Sequence, residues 1–309
     1  MMRTACLAAA LFLIGALGCG RAAVADPLAP APPVAESFTV GMLHVDRYGS
    51  GPHTLILIPG LGCGPWEWYG TIAHESPNYT IYALTLPGFD GLPATTVQPL
   101  IPAFVSDVAK LLDARKIVKP IIVGHSLGGT LAIVLGESYP DRLHAVIAVD
   151  GLPVFPTMGT FSAQQRMTAA MQMATPIVNA SPAQLLIADE HFMSTFGTAD
   201  PALVEPTATL LAKSDPVASA AWLVEDVSGD WRPALREVTI PLVEIMPYYA
   251  PDHTAAPLNF TLDQTQVFYA SLLAGAPKLT VLPMPGARHF AMLDRPALFD
   301  TTLDQALAL

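Results

Sequence analysis

Cysteine is scarce in this chain: three residues in 309, and two of them, Cys6 and Cys19, fall in an apolar leader. With the leader removed only Cys63 remains, which excludes an internal disulfide even in an oxidising compartment. Cations are scarce too, 15 Lys and Arg against 26 Asp and Glu, for a formal charge of −11. Such a balance repels phosphate backbones and anionic membrane surfaces, so nucleic acid is not an expected partner. The histidines, among them His125, His144, His191, His253 and His289, are scattered and share no spacing with cysteine that would make a zinc site. No metal and no cofactor are expected. Beyond residue 25 no apolar run approaches the roughly 20 residues of a membrane span, and no internal repeat is present.

What the chain does have is apolar mass. Hydrophobic residues make up 52% and charged residues only 13%, enough for a large buried core. The first 25 residues are expected to be a signal peptide rather than fold. Met1, Met2 and Arg3 form a short basic start, an apolar stretch of 13 residues runs from Cys6 to Gly18, and Ala23-Val24-Ala25 is a cleavage site. Ala16-Leu17-Gly18-Cys19 also resembles a lipobox, so a lipid anchor at Cys19 is the alternative to a periplasmic or secreted chain. Cleavage after Ala25 removes Arg3 and Arg21 and no acid, leaving 13 basic against 26 acidic residues, a charge of −13. Residues 26–36 are Pro/Ala-rich and read as an extended tether.

One stretch organises the rest. Pro120-Ile121-Ile122-Val123 is an apolar run that ends in Gly124-His125-Ser126-Leu127-Gly128, after which Leu131, Ile133, Val134 and Leu135 follow a helical pattern. Strand, sharp turn and helix with a serine at the apex make a nucleophile elbow. The helix begins just behind the serine, so its free N–H groups face any oxyanion formed there. A plain glycine-rich turn with an incidental serine is the competing reading, and the flanking strand and helix argue against it.

Strands and helices alternate on either side. Residues 37–47 read as a first strand and Gly49-Ser50-Gly51-Pro52 as a turn, together suggesting an N-terminal β-hairpin. The run 54–58 opens into Gly60-Leu61-Gly62-Cys63-Gly64, three glycines in five residues, where a second oxyanion donor belongs. Residues 79–86 and 143–149 are further strands, and 99–114 a helix. From 151 to 238 the alternation stops. Helical pieces near 162–174, 182–195, 201–213 and 216–227 carry Met167, Met171, Met173, Phe192, Met193 and Phe196, the composition of a cap over an apolar pocket. Strands resume at 240–246 and 279–282, with helices at 262–273 and 295–309. The expected class is α/β, a mostly parallel central sheet flanked by helices, with residues 37–150 and 239–309 forming the core and 151–238 a helical cap inserted after the strand ending near Asp150.

A serine hydroxyl needs a base, and the base needs an orienting acid. His289 follows the last strand and precedes the closing helix, the place for the base. The acid is expected after the strand at 240–246, where Asp252 is the first choice. Asp150, at the end of the preceding strand, is the alternative acid. Asp230 and Glu244 stand behind both, Glu244 being inside a strand with its side chain able to point outward. His125 adjoins the serine but its side chain diverges, so it supports the elbow rather than acting as base. The backbone N–H groups of Leu61 and Leu127 are the expected oxyanion hole.

These residues resemble the α/β-hydrolase superfamily over essentially the whole chain after the leader. Gly124-His125-Ser126-Leu127-Gly128-Gly129 looks like its elbow, and Pro59-Gly60-Leu61-Gly62 resembles its oxyanion loop with proline where histidine is frequent. The segment from Pro283 to Pro296 is similar to its histidine segment. Asp230-Trp231-Arg232-Pro233 is similar to the cap exit of members with helical lids. The stretch after Met246 departs from the pattern: Tyr248-Tyr249-Ala250-Pro251 replaces a Gly-x-x-Asp signature. The resemblance implies a serine hydrolase with helical cap, carboxylesterase-like, with Ser126, His289 and Asp252 as triad and an apolar small-molecule ester as substrate. An amine-bearing substrate is not expected, since the sequence shows no acidic cluster. The same triad could act on a lactone, amide or C–C bond or in acyl transfer. A binding protein that keeps the scaffold without catalysis is the reading from another class.

Overall fold

The computed structural model describes residues 28–254 and 259–309. The expected leader and both of its cysteines lie outside the described residues. Residues 28–35 form neither helix nor strand.

Among the described residues eight strands form one sheet: β1 (Glu36–Val40), β2 (Leu43–Tyr48), β3 (His53–Ile58), β4 (Tyr79–Thr85), β5 (Ile121–His125), β6 (Ala145–Val149), β7 (Leu242–Tyr248) and β8 (Leu279–Pro285). Their order is β1-β2-β4-β3-β5-β6-β7-β8. β1 and β2 pair antiparallel, β2 joins β4 antiparallel, and every other neighbour is parallel. The stretch 37–47, expected as one strand of a hairpin through the 49–52 turn, is itself a hairpin turned at Gly41, whose φ of +57° suits glycine, and β2 then pairs with β4 rather than with β3.

The helices are α1 (Tyr69–Glu75), α2 (Leu100–Arg115), α3 (Leu127–Ser138), α4 (Ala163–Val178), α5 (Pro182–Phe192), α6 (Val204–Leu211), α7 (Pro216–Ser228), α8 (Leu262–Leu273), α9 (Ala291–Asp294) and α10 (Pro296–Leu307). The central strands are apolar on both faces because helices cover both. Ile56 and Ile58 of β3 pack with α2, α3 and α8 residues such as Phe104, Leu131 and Leu273. Leu55 and Leu57, the alternate positions, pack on the opposite face with Ile72 of α1 and Phe299 and Leu303 of α10. This period-two split fixes the register of the sheet, since a one-residue slip would exchange the two cores. The consequence for function is that β3, β5, β6 and β8 all deliver their following loops to one end of the sheet.

Between β6 and β7 lie α4 to α7, and no strand occurs there. α4 and α7 pack together, and α7 is tied to the rest of the molecule. Trp222 is fully buried against Phe89, and Glu225 accepts from the N–H groups of Leu100 and Ile101 at 2.6 and 2.9 Å, capping α2. α5 buries no residue completely, and α4 only Ala170 and Ala174.

Candidate active site

Ser126 sits between β5 and α3 with φ +53° and ψ −120°. That backbone costs a non-glycine residue on the order of 1–3 kcal/mol. The surroundings hold it: Ser126 N–H donates to Val149 O at 2.9 Å, and the Ser126 carbonyl accepts from Gly129 and Thr130 at 2.8 and 3.1 Å. The flanking glycines permit the close crossing. A Cβ on Gly124 would overlap the backbone of Gly128, and one on Gly128 would overlap the carbonyls of Ile58 and Pro59. Among the described residues the N–H groups of Leu61 and Leu127 are taken by no turn, loop or cap hydrogen bond. Leu61 lines the same cavity as Ser126.

His289 arrives on the loop after β8. Its Nδ1 lies 2.6 Å from Asp150 Oδ2, and a carboxylate can only accept, so Nδ1 carries the hydrogen and Nε2 is left free as an acceptor. Tyr269 on α8 donates its hydroxyl to the other oxygen, Oδ1, at 2.5 Å. Burial pushes the Asp150 carboxyl up, but the hydrogen bonds from His289 and Tyr269 outweigh it and hold the group below the ordinary aspartate value. Asp150 thus remains an anion beside the imidazole. The Ser126 hydroxyl makes no hydrogen bond among the described residues; it and His289 line one cavity. Contacts of this kind often tighten only around a substrate.

Asp252, the expected acid, is not at His289. It forms a two-pronged pair with Arg288, at 2.8 Å to Nε and 2.6 Å to Nη2, half-exposed on the outer side of the loop. The reason lies in the neighbouring strand ends. β6 and β7 pair through Val149 and Ile245, and Asp150 N–H bonds Ile245 O at 3.0 Å, so Asp150 occupies the position facing the imidazole. β7 meanwhile runs on to Tyr248, paired with Pro285, and the turn at Ala250–His253 carries Asp252 to the guanidinium. Glu244 does not point outward; it is fully buried, and burial together with the Asp150 charge pushes its carboxyl well up. Asp230 pairs with Arg232 and Arg166 at 2.7 and 3.4 Å.

Three residues of the site were not among the candidates read from the sequence. Tyr269 is one. Asp294 is another: it accepts from the N–H groups of Ala199 and Arg288, each at 2.8 Å, and from the Thr198 hydroxyl, fastening the histidine loop to the insertion. The third is Glu67, which accepts from Gly60 N–H at 3.0 Å and lies 3.1 Å from His125 Nδ1.

The cavity over Ser126 has a volume of about 830 Å³ and is walled by both regions of the chain. Its apolar wall comes from Met173 and Ile177 of α4, Leu185, Ala188 and Phe192 of α5, and Leu152, Val154 and Phe155 after β6. Phe192 meets the His289 ring edge-on at 5.9 Å. Two carboxyls also face this cavity from separate helices, Asp189 and Asp226, and burial pushes each up to about 6. Among the described residues one trio with ligand atoms within 4.8 Å of one another, His74, Glu75 and Asp304, could approach a metal ion. None of the three lines the cavity. No helix of the described residues is long and apolar enough to cross a membrane.

Residues 55–301 match the family model described as "Alpha/beta hydrolase family". The chain belongs to that family. The α/β-hydrolase fold, with its mostly parallel sheet and flanking helices, is thereby established, as the sequence resemblance implied. Among relatives, the chain is 35% identical over 112 residues to a pimeloyl-(acyl-carrier protein) methyl ester esterase of Aeromonas hydrophila subsp. hydrophila, covering 36% of this chain and 42% of that protein. A protein of the same name from Vibrio campbellii is 26% identical over 251 residues, 77% of this chain and 93% of its own length. The match thus spans about two-fifths of the first of these relatives and nearly all of the second. Among solved structures, an enol-lactonase from Burkholderia xenovorans LB400 superposes with a TM-score of 0.70 at 19% identity, over 89% of this chain and 100% of that one, a likeness of fold.

Proposed function

We propose that this chain is an exported serine hydrolase that cleaves a carboxylic ester through Ser126, His289 and Asp150. The observation that carries the reading is the Asp150–His289 hydrogen bond, aimed with the strained Ser126 into an apolar cavity. Two relatives named as methyl ester esterases support the bond type. Export rests on the basic, apolar and Ala-x-Ala features of residues 1–25, and the helices of 151–238 act as the cap.

In this reading Ser126 Oγ attacks the ester carbonyl while His289 Nε2 takes its proton. Asp150 stabilises the imidazolium through Nδ1–H and holds the ring. The N–H groups of Leu61 and Leu127 receive the oxyanion, a contribution of about 10²–10³ in rate for each donor. Collapse expels the alcohol with the proton returned by His289, and water activated by the same histidine releases the acid. The cavity favours an uncharged acyl group of medium length.

The test is hydrolysis of p-nitrophenyl esters of increasing chain length by protein expressed with its leader, alongside Ser126→Ala and fluorophosphonate labelling. Turnover lost in Ser126→Ala, with labelling confined to Ser126, is the expected result. Labelling without turnover on any ester would move the assignment to another acyl bond. Neither labelling nor turnover would overturn it in favour of a binding protein.

A further inference from the structure

Glu67 is a carboxylate with 1% exposure that makes no hydrogen bond to Ser126, Asp150 or the His289 ring. Its two oxygens go to different places. Oε1 accepts from Gly60 N–H at 3.0 Å, in the loop after β3, and Oε2 lies 3.1 Å from Nδ1 of His125 on β5. The His125 ring, itself fully buried, reaches across with Nε2 to the carbonyl of His289 at 3.0 Å. A carbonyl only accepts, so Nε2 carries a hydrogen. A second proton must then lie between Nδ1 and Oε2, on the ring or on the carboxyl, for that contact to be attractive. The path Gly60 N–H, Glu67, His125, His289 C=O is closed at every atom.

Each link of this path ends on a different part of the site. Gly60 precedes Leu61, His125 precedes Ser126, and the last carbonyl belongs to His289 itself. The contacts leave no slack. A Cβ on Gly60 would come within 2.8 Å of His125 Nδ1, and the His125 ring lies 4.6 Å from the His289 ring and 4.8 Å from that of Phe290. A buried polar pair gains little stability over an apolar pair of equal volume, which leaves geometry as its benefit. Misplacement of reacting groups by about 1 Å costs on the order of 10²-fold in rate.

We infer that Glu67 and His125 are positioning residues that set the Leu61 oxyanion donor and the His289 base against Ser126. The inference rests on the hydrolase reading above.

The experiment compares Glu67→Ala, Glu67→Gln and Glu75→Gln in the full chain, by ester kinetics, fluorophosphonate labelling rate and Tm. Glu75 is a control for burial alone: it is 2% exposed and lines no part of the cavity. Glu67→Ala is expected to lower kcat by about 10²-fold with KM within about threefold, and to slow labelling to match. Glu67→Gln keeps an acceptor for Gly60 and offers an N–H to His125 Nδ1, and should return to within about tenfold of the parent. Glu75→Gln should move Tm alone. If Glu67→Ala does not fold, Glu67→Met of similar volume takes its place under the same thresholds. A folded Ala or Met variant with kcat and labelling within about threefold of the parent, a loss confined to KM, or a Gln variant no better than Ala would each overturn the inference. A parent protein that neither turns over nor labels would remove the hydrolase reading instead, and the inference with it.

Discussion

The sheet and the helices inserted into it are built by different rules. In β3, β5 and β6 almost every residue is sealed from solvent, on two faces, and the residues that would do chemistry leave the ends of these strands at fixed backbone geometry. In α4 and α5 most side chains stay partly open, with Met171 at 54% and Ile187 at 65% exposure. Around them the insertion is bonded down through Glu225 of α7 to α2, through Ser214 just before α7, whose hydroxyl donates to Gly62 O at 2.8 Å, and through Thr198 and Ala199 to Asp294. The difference teaches a division of labour: atoms that must hold position come from the closed frame, and surfaces that must accept a shape come from the looser insertion.

The largest effect should separate two aspartates of the frame. Asp150→Asn is expected to lower kcat by about 10³–10⁴, because an amide both fails to stabilise the imidazolium and can force the wrong tautomer. Asp252→Asn breaks only a half-exposed pair with Arg288 and should cost less than about tenfold. Parallel p-nitrophenyl ester kinetics on the two variants decide it; equal losses, or the reverse order, would sink the assignment of Asp150.

The insertion should respond in selectivity rather than in chemistry. Ala188 lines the cavity from α5. Ala188→Trp is expected to shorten the preferred acyl chain, with about tenfold loss on long esters and little change on acetate, since each methylene in such a pocket is worth about 1–3 kcal/mol. Equal loss on short and long esters would mean that the wall is part of the catalytic frame after all.

The aspartates on this wall bring in pH. Asp189 and Asp226, each pushed up to about 6 by burial, are neutral below that pH and become anions above it. An apolar ester therefore meets a less polar cavity at pH 5 than at pH 7.5, and its KM should rise across that window by a few-fold, as order of magnitude. Asp226→Asn should flatten the rise. An ester carrying a basic amine should show the opposite slope, with KM falling as the carboxyls ionise. A KM independent of pH for both esters would show that neither carboxyl meets the substrate.

What could be read from the sequence follows the same division. That Ser126 and His289 reach one cavity was legible because each lies in a local pattern, strand-Gly-x-Ser-x-Gly-helix for one and the last strand-to-helix loop for the other. The acid was only half legible. Two adjacent parallel strands, β6 and β7, each lead into an aspartate at the same end of the sheet, and which of them faces an imidazole from a third loop is a tertiary distance of a few ångströms. The departure at Tyr248-Tyr249-Ala250-Pro251 was the one local hint that Asp252 had another partner. Tyr269 and Glu67 sit on ordinary helical or loop stretches, and nothing in their neighbours marks them; Asp294 lies inside the segment likened to the histidine segment, but nothing local gives its role. The hairpin turn at Gly41 was hidden because the apolar alternation of Phe38, Val40 and Met42 runs past it before changing phase at Leu43. The helices of the insertion were found near their expected places, but that Asp189 and Asp226 line one cavity could not be read, since the two lie far apart in sequence and only the fold brings both to it.

The smallest expected effect is at Cys63, which tests whether the frame tolerates a change of atom where its shape is kept. Cys63 is buried beside the Leu61 loop, with its thiol donating to Leu61 O at 3.6 Å. Burial pushes the thiol well up, and the neighbouring Glu67 charge adds to this, so the group stays protonated at neutral pH and is a poor nucleophile. Serine at this position keeps the donor, the acceptor carbonyl and nearly the volume. Cys63→Ser should therefore leave kcat/KM within about tenfold, some 1.4 kcal/mol of barrier, and iodoacetamide should leave the folded parent protein unmodified. A larger loss would mean that the loop holding the oxyanion donor depends on the size of sulfur. Rapid alkylation with loss of turnover would mean that this part of the frame opens to solvent, and the contrast between closed sheet and open insertion would have to be redrawn at the oxyanion loop.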